Sequence, residues 1–317
     1  MHAFFHAVAV FIHHLRQVQW TPLGLALACH ITKLLFRARA WENIIRAAYP
    51  NDRLRYRAAL GAYTAGVGVN SIAPARGGDL IKLYLVKHRM KEATYPTLAS
   101  TLIVETMLDF VVAGCLMIWA LSIGVLPTHQ VYSRIPTVDW KFFLKHETAT
   151  GIGLAVIAFV LVLLALAARR RVEDFWDRVR LGFAVLGNRR KLVLGVLLPQ
   201  AISWVFRIAS LFFFLRAFRV DATIHNALLA QVVDSLSTLF PATPGGAGTK
   251  QGLIVYVFRN QSISRTLLLA FSVGMNITVT IVNVLMGLIA IALMAKTLSF
   301  KKLRHASRAE QEQQPAA

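Results

Sequence analysis

The sequence predicts an all-α polytopic membrane protein, built as an inverted-topology repeat with two re-entrant broken helices. Three observations lead there. Apolar residues make up 56% of the 317 and charged residues only 16%, against about 25% charge in ordinary soluble domains. Four apolar stretches, Leu98 to Leu126, Gly151 to Ala168, Leu192 to Leu215 and Leu267 to Ala295, are close to or above the roughly 20 residues of a transmembrane helix. Two more, Ala58 to Val86 and Ala222 to Phe258, are each broken in the middle by a segment rich in small residues, proline and glycine. This composition argues against a soluble enzyme and against disorder.

Taken in chain order, the elements are as follows. Residues 1–19 hold an apolar run, Ala3 to Ile12, too short to span and flanked by His2, His6, His13, His14 and Arg16. The basic residue follows the run instead of preceding it, which argues against a signal peptide and for an interfacial amphipathic helix. Residues 20–126 form a first membrane repeat. It comprises a short span, Pro22 to Phe36, carrying His30 and Lys33, then a hairpin at 58–86 and the span from Leu98. Residues 127–168 are a linker and a linking span, and 169–191 a basic loop. Residues 192–295 form the second repeat, with its hairpin at 222–258. Residues 296–317 form a basic tail, expected to be disordered after Lys302.

The 35 Lys and Arg against 15 Asp and Glu give a net charge of +20. In a soluble chain that excess would suggest nucleic acid. Here the basic residues interrupt apolar runs, so the expected partner is a membrane surface. Cytoplasmic loops are enriched in Lys and Arg, and 22 of the 35 fall in four segments: Arg37 to Arg57, Lys87 to Glu92, Arg169 to Lys191, and the tail from Lys296. Placing all four on the cytoplasmic side gives one consistent path. The N-terminus lies outside, the first hairpin begins and ends inside, the second begins and ends outside, and the C-terminus is cytoplasmic. A span, a re-entrant hairpin and a span thus occur twice in opposite orientation, a transporter signature. Cys29 and Cys115, both in apolar stretches, exclude a disulfide-rich scaffold and a four-cysteine zinc site.

The breaks carry the chemistry. Non-helical backbone at membrane depth persists only where protein or a water-filled cavity satisfies it. A helix restarting after a break presents free N–H groups and the positive end of its dipole. Gly77, Gly78, Gly245, Gly246 and Gly248 would let that backbone approach a ligand. The matched ligand is an anionic headgroup, with Arg76 offering a planar fork for phosphate oxygens. The alternative is that these glycines only allow tight helix packing.

Charges at membrane depth are the second clue, because each costs about 2.5–3.5 kcal/mol at a helix centre on insertion scales. Arg76, Asp79 and Lys82 are spaced by three and share a face; Glu105 and Asp109 are four apart and share another. The simplest expectation is that the two carboxylates meet the basic face of Arg76 and Lys82 and balance its charge, or that one of them carries a proton. Arg207 and Asp234 form a second expected pair. No dinucleotide fingerprint, phosphate-binding loop, His-Glu-x-x-His or Gly-x-Ser-x-Gly motif occurs. No metal or cofactor is expected.

Asn70-Ser71-Ile72-Ala73-Pro74-Ala75-Arg76-Gly77-Gly78-Asp79, then Val104-Glu105-Thr106-Met107-Leu108-Asp109, and later Pro241 to Gly248, together resemble the flippase-like transmembrane domain of lysylphosphatidylglycerol synthases and its stand-alone relatives. The resemblance runs from about Trp41 to about Leu293. It implies a multi-pass protein of the bacterial inner membrane that moves or binds a lipid headgroup. The chain lacks room for the soluble aminoacyl-transferase domain, so synthase activity is not expected. It departs from the pattern at Thr106, where the family has Arg, and at Gln251, where it has an acidic residue; with Lys250 this makes the second tip more cationic.

The function expected is therefore translocation of an anionic lipid or polyprenyl-phosphate headgroup. Substrate would be held by Arg76, Gly77, Gly78, Lys82, Gly245, Gly246, Gly248, Lys250 and Gln251. Asp79, Glu105, Asp109, Asp234 and Arg207 would balance charge or couple to protons. Two other classes are consistent with the sequence. One is a membrane enzyme acting on a lipid-linked phosphate or sugar, using Asp79, Glu105 and Asp109. The other is a scaffold in a lipid or glycolipid synthesis complex. Expected partners are the membrane and the lipid, with lipid-synthesis enzymes or a second copy of the chain as further options; nucleic acid is not among them.

Overall fold

The computed structural model describes residues 17–73, 76–123, 177–239, 248–259 and 261–312. Its eight principal helices are α1 (Trp20–Ala48), α2 (Tyr56–Asn70), α3 (Gly77–Lys87), α4 (Tyr95–Ser122), α5 (Arg189–Ala217), α6 (Ile224–Leu239), α7 (Thr249–Val257) and α8 (Arg265–Glu312). Every regular element among the described residues is helical. The linking span, nearly all of the N-terminal segment, and the tip residues Pro74, Ala75 and Pro241 to Ala247, including Gly245 and Gly246, lie outside the described residues.

Within α4, α5 and α8, the stretches Tyr95–Ala120, Arg189–Ala217 and Arg265–Met294 are long and apolar enough to cross a bilayer. They coincide with three of the four long apolar runs. α1 differs from expectation. It does not stop at Phe36 but continues to Ala48, 29 residues in all, about 43 Å at 1.5 Å per residue. The reason is a buried stripe that persists past Phe36: Ala26, His30, Leu34, Ala38, Trp41 and Ile45 recur every three or four residues. Arg37, Arg39 and Arg46, expected in a loop, therefore stand on a helix. α8 likewise continues to Glu312, so residues 303–312, expected to be disordered, are helical.

The two broken stretches are helix pairs. Their arms have 15 and 11 residues in α2 and α3, and 16 and 9 in α6 and α7. At 1.5 Å per residue every arm is shorter than the roughly 30 Å hydrocarbon core. The remaining helices pack around them reciprocally. α1 lies against α5, α2 against α8, and α6 against α4. α1 and α5 run antiparallel, tied by Ser210 Oγ donating to Ala26 O (2.8 Å) near one end and Asn43 Nδ2 to Gly195 O (2.7 Å) near the other.

α2 and α8 cross where Gly68 meets Gly287. A Cβ on Gly68 would lie 2.8 Å from the Gly287 Cα, so only glycine permits this approach. Separate apolar clusters fill the two halves, one around Trp41, Ile45 and Leu98, the other around Phe214, Phe258 and Phe271. Loops are stapled within each half. Thr94 N–H donates to Tyr49 Oη (2.8 Å) in the first, and Gln261 Nε2 to Asn226 Oδ1 (2.7 Å) in the second.

Candidate functional site

The charges expected at membrane depth fall into three clusters. The first sits at the break between α2 and α3. Arg76 caps α3 in the left-handed conformation, φ 58° and ψ 33°, which few residues other than glycine adopt. Asp79 lies between Arg76 (Nε to Oδ2, 3.2 Å) and Lys82 (Nζ to Oδ1, 3.0 Å). The expected shared face of Arg76, Asp79 and Lys82 is thus formed, with the carboxylate at its centre. Asn70 holds the break closed from the α2 side. Its Oδ1 accepts from Gly78 N–H (2.7 Å) and its Nδ2 donates to Asp79 Oδ1 (3.1 Å). Lys82 is buried, with its ammonium 4.3 Å above the centre of the Tyr63 ring. Arg76, at 62% exposure, is the accessible cation of this cluster.

The glycines here divide. A Cβ on Gly78 would run into the Gly66 carbonyl and come within 2.8 Å of the Asn70 amide nitrogen, whereas among the described residues one on Gly77 would meet only the Ala73 Cβ at 3.7 Å. Gly78 therefore serves hairpin packing, and its N–H is already bonded. The expectation that it brings free backbone to a ligand is corrected by this contact.

The second cluster also corrects an expectation. Glu105 and Asp109 do not meet Arg76 or Lys82; their cation is Arg37 of α1. Arg37 Nη2 lies 2.6 Å from Glu105 Oε1 and 2.5 Å from Asp109 Oδ2, and its Nε donates to Tyr63 Oη (2.6 Å). Tyr63 donates in turn to Glu105 Oε1 (2.8 Å). Gln200 Nε2 (3.0 Å) and Trp204 Nε1 (3.2 Å) both donate to Asp109 Oδ1. The network joins α1, α2, α4 and α5. Sequence reading missed Arg37 because α1 was ended at Phe36. The signal that would have found it is its position four residues after Lys33, within the continuing apolar stripe.

The third cluster lies beside the second break. Arg207 Nη2 donates to Asp234 Oδ2 (2.8 Å), forming the expected pair, and Lys250 Nζ donates to Asp234 Oδ1 (2.6 Å). Arg207 also rests 4.7 Å from the centre of the Trp204 ring. Gly248 has φ 87° with no described residue within 4 Å of a would-be Cβ, and its N–H donates to Gln251 Oε1 (2.6 Å). Gln251 thus caps α7. A cavity of about 70 Å³ opens here, walled by His30 and Lys33 of α1, Arg207 of α5, Asp234 of α6, Lys250 of α7 and Asn276 of α8. His30, set apart from the tips in the sequence, is tied to the first break through Asn283. His30 Nε2 bonds Asn283 Oδ1 (2.8 Å), and Asn283 Nδ2 donates to Ser71 Oγ (3.0 Å). Among the described residues no three His, Cys, Asp or Glu side chains converge into a set that could hold a metal ion.

A whole-chain comparison decides what kind of protein carries these clusters. The family model of the lysylphosphatidylglycerol synthase TM region matches residues 3–287. The chain belongs to that family. No curated protein and no solved structure matches it. As a member of the lysylphosphatidylglycerol synthase TM-region family it is a membrane protein with a lipid-related role. The matched range takes in all three charge clusters.

Proposed function

We propose that this protein is a flippase-like transporter that binds an anionic lipid or polyprenyl-phosphate headgroup and carries it across the membrane. The observation that carries this reading is Arg76. It stands at the start of a broken helix with its ion pair to Asp79 engaging Nε, and no other described residue engages the guanidinium. Two N–H edges of a planar fork are thus left for phosphate oxygens. Family membership supports a lipid substrate. Acyl chains would stay in the bilayer while the headgroup passes between the breaks.

The architecture fits alternating access. Four arms too short to cross the bilayer support two re-entrant hairpins. Antiparallel α1 and α5, and the reciprocal packing of α2 on α8 and α6 on α4, support an inverted repeat. The substrate set then comprises Arg76, Gly77, Gly245, Gly246, Gly248 and Lys250, with Lys82 and Gln251 holding the tips in shape. Asp79, Asp234 and the Glu105–Asp109 pair balance charge. We place the protein in the bacterial inner membrane with a cytoplasmic C-terminus.

The test is a headgroup-accessibility assay in proteoliposomes with fluorescent anionic lipids and polyprenyl phosphates. Wild type is expected to accelerate movement of one lipid class, and Arg76→Ala to abolish it while inserting normally. Unchanged translocation by a well-folded Arg76→Ala protein would overturn the reading.

A further inference from the structure

The third cluster holds more positive charge than the described residues neutralise. Three cations, Lys33, Arg207 and Lys250, face the cavity. Arg207 and Lys250 both bind Asp234, and that one carboxylate is fully engaged by them. Lys33 has no ion pair and no hydrogen bond among the described residues. It stands near the middle of α1 and lines the cavity, where a lone ammonium removed from bulk water is costly. The wall next to it is no remedy. His30 uses Nε2 on Asn283, and Asn276 is uncharged. The missing component is an anion.

The size of the space limits what that anion is. About 70 Å³ exceeds the roughly 10–15 Å³ that admits one water, yet leaves room for one compact group only. We propose that this cavity binds a single phosphate group, monoester or diester, and that Lys33 is the cation that contacts it. Lys250 and Arg207 reach the same group from the opposite wall while Asp234 keeps them in place. A sugar or a second phosphate would remain outside. The inference rests on the transport reading for its lipid, but the site is defined by charge and volume alone.

The experiment uses the full chain in dodecyl maltoside, a detergent without phosphate. Inorganic phosphate and dihexanoyl phosphatidic acid are titrated in separate arms, following heat of binding and the thermal midpoint. Wild type is expected to bind at least one probe and to be stabilised by it. Lys33→Gln is expected to weaken that binding tenfold or more and to erase the thermal shift. Without ligand its midpoint should equal or exceed that of wild type, since an unneutralised charge has been removed. Lys33→Arg should stay within about threefold of wild-type affinity. Binding of the lipid probe alone assigns a lipid phosphate, and binding of inorganic phosphate assigns a site that also takes the free anion. Binding by Lys33→Gln equal to wild type, or no binding of either probe by wild type, overturns the proposal. A protein that binds phosphate through Lys33 yet moves no lipid would sink the transport reading and leave this site standing. One that moves lipid with Lys33→Gln unimpaired would do the reverse.

Discussion

The two helix breaks share their sequence punctuation and differ in what surrounds them. At the first, Gly66 and Gly78 are in backbone contact, Asn70 bonds across the gap, and Lys82 lies over Tyr63. Tyr63 then leads into the buried Arg37–Glu105 pair. At the second, no described residue lies within 4 Å of a Cβ built on Gly248, and a cationic cavity stands alongside. Among the described residues, the flanks of the first break form a packed hinge, whereas those of the second border a cationic pocket. Glycine permits both outcomes. The neighbours decide, and in the first half Asn70 and Gly66 supply the closing contacts.

The largest expected effect breaks the anchor of the packed side. Arg37→Ala leaves Glu105, with a side chain only 3% exposed, without its cation, and should destabilise the protein by about 3–5 kcal/mol. Denaturant unfolding in detergent measures this. A loss below about 1 kcal/mol would mean that the network does not anchor the first break.

A pair of glycine substitutions sharpens the contrast. Gly78→Ala drives a methyl into the Gly66 carbonyl and should cost about 1–3 kcal/mol. Gly252→Ala, on α7 beside the second break, meets no described residue within 4 Å and should instead stabilise by about 0.4–1 kcal/mol through the unfolded chain. Equal thermal shifts for the two would erase the difference between packed and open. The smallest change probes the link between the halves. Trp204→Phe removes the indole N–H that donates to Asp109 but keeps a ring under Arg207. It should cost about 0.5–1.5 kcal/mol and leave phosphate affinity within about twofold of wild type, read by calorimetry.

Much of the framework was legible in the residues. Leu192 to Leu215 and Leu267 to Ala295 fall inside α5 and α8, and the breaks fall where Pro and Gly interrupt apolar runs. Arg207 with Asp234, and Asp79 between Arg76 and Lys82, were also readable. The second follows from spacing on one helix. The first joins two helices and was only one of several pairings open. Arg37 was missed for a definable reason: a charge after an apolar run looks like a loop unless the buried stripe beyond it is followed.

Span positions and break positions are local properties. Hydropathy over about 20 residues selects a membrane helix because the hydrocarbon core has a set thickness, and proline or clustered glycine interrupts a helix wherever it occurs. Residue order therefore determined the helical membrane class and the two interruptions. Which carboxylate meets which cation depends on how helices far apart in the chain rotate and cross. Glu105 and Asp109 face Arg37, not Arg76, because α1 packs between α4 and α5 and turns that face toward them. The same packing gathers Lys33, Arg207, Lys250 and Asp234 around one cavity from four helices. Three-dimensional arrangement alone leaves Lys33 there without a counter-ion among the described residues, and that unneutralised charge is what a phosphate would complete.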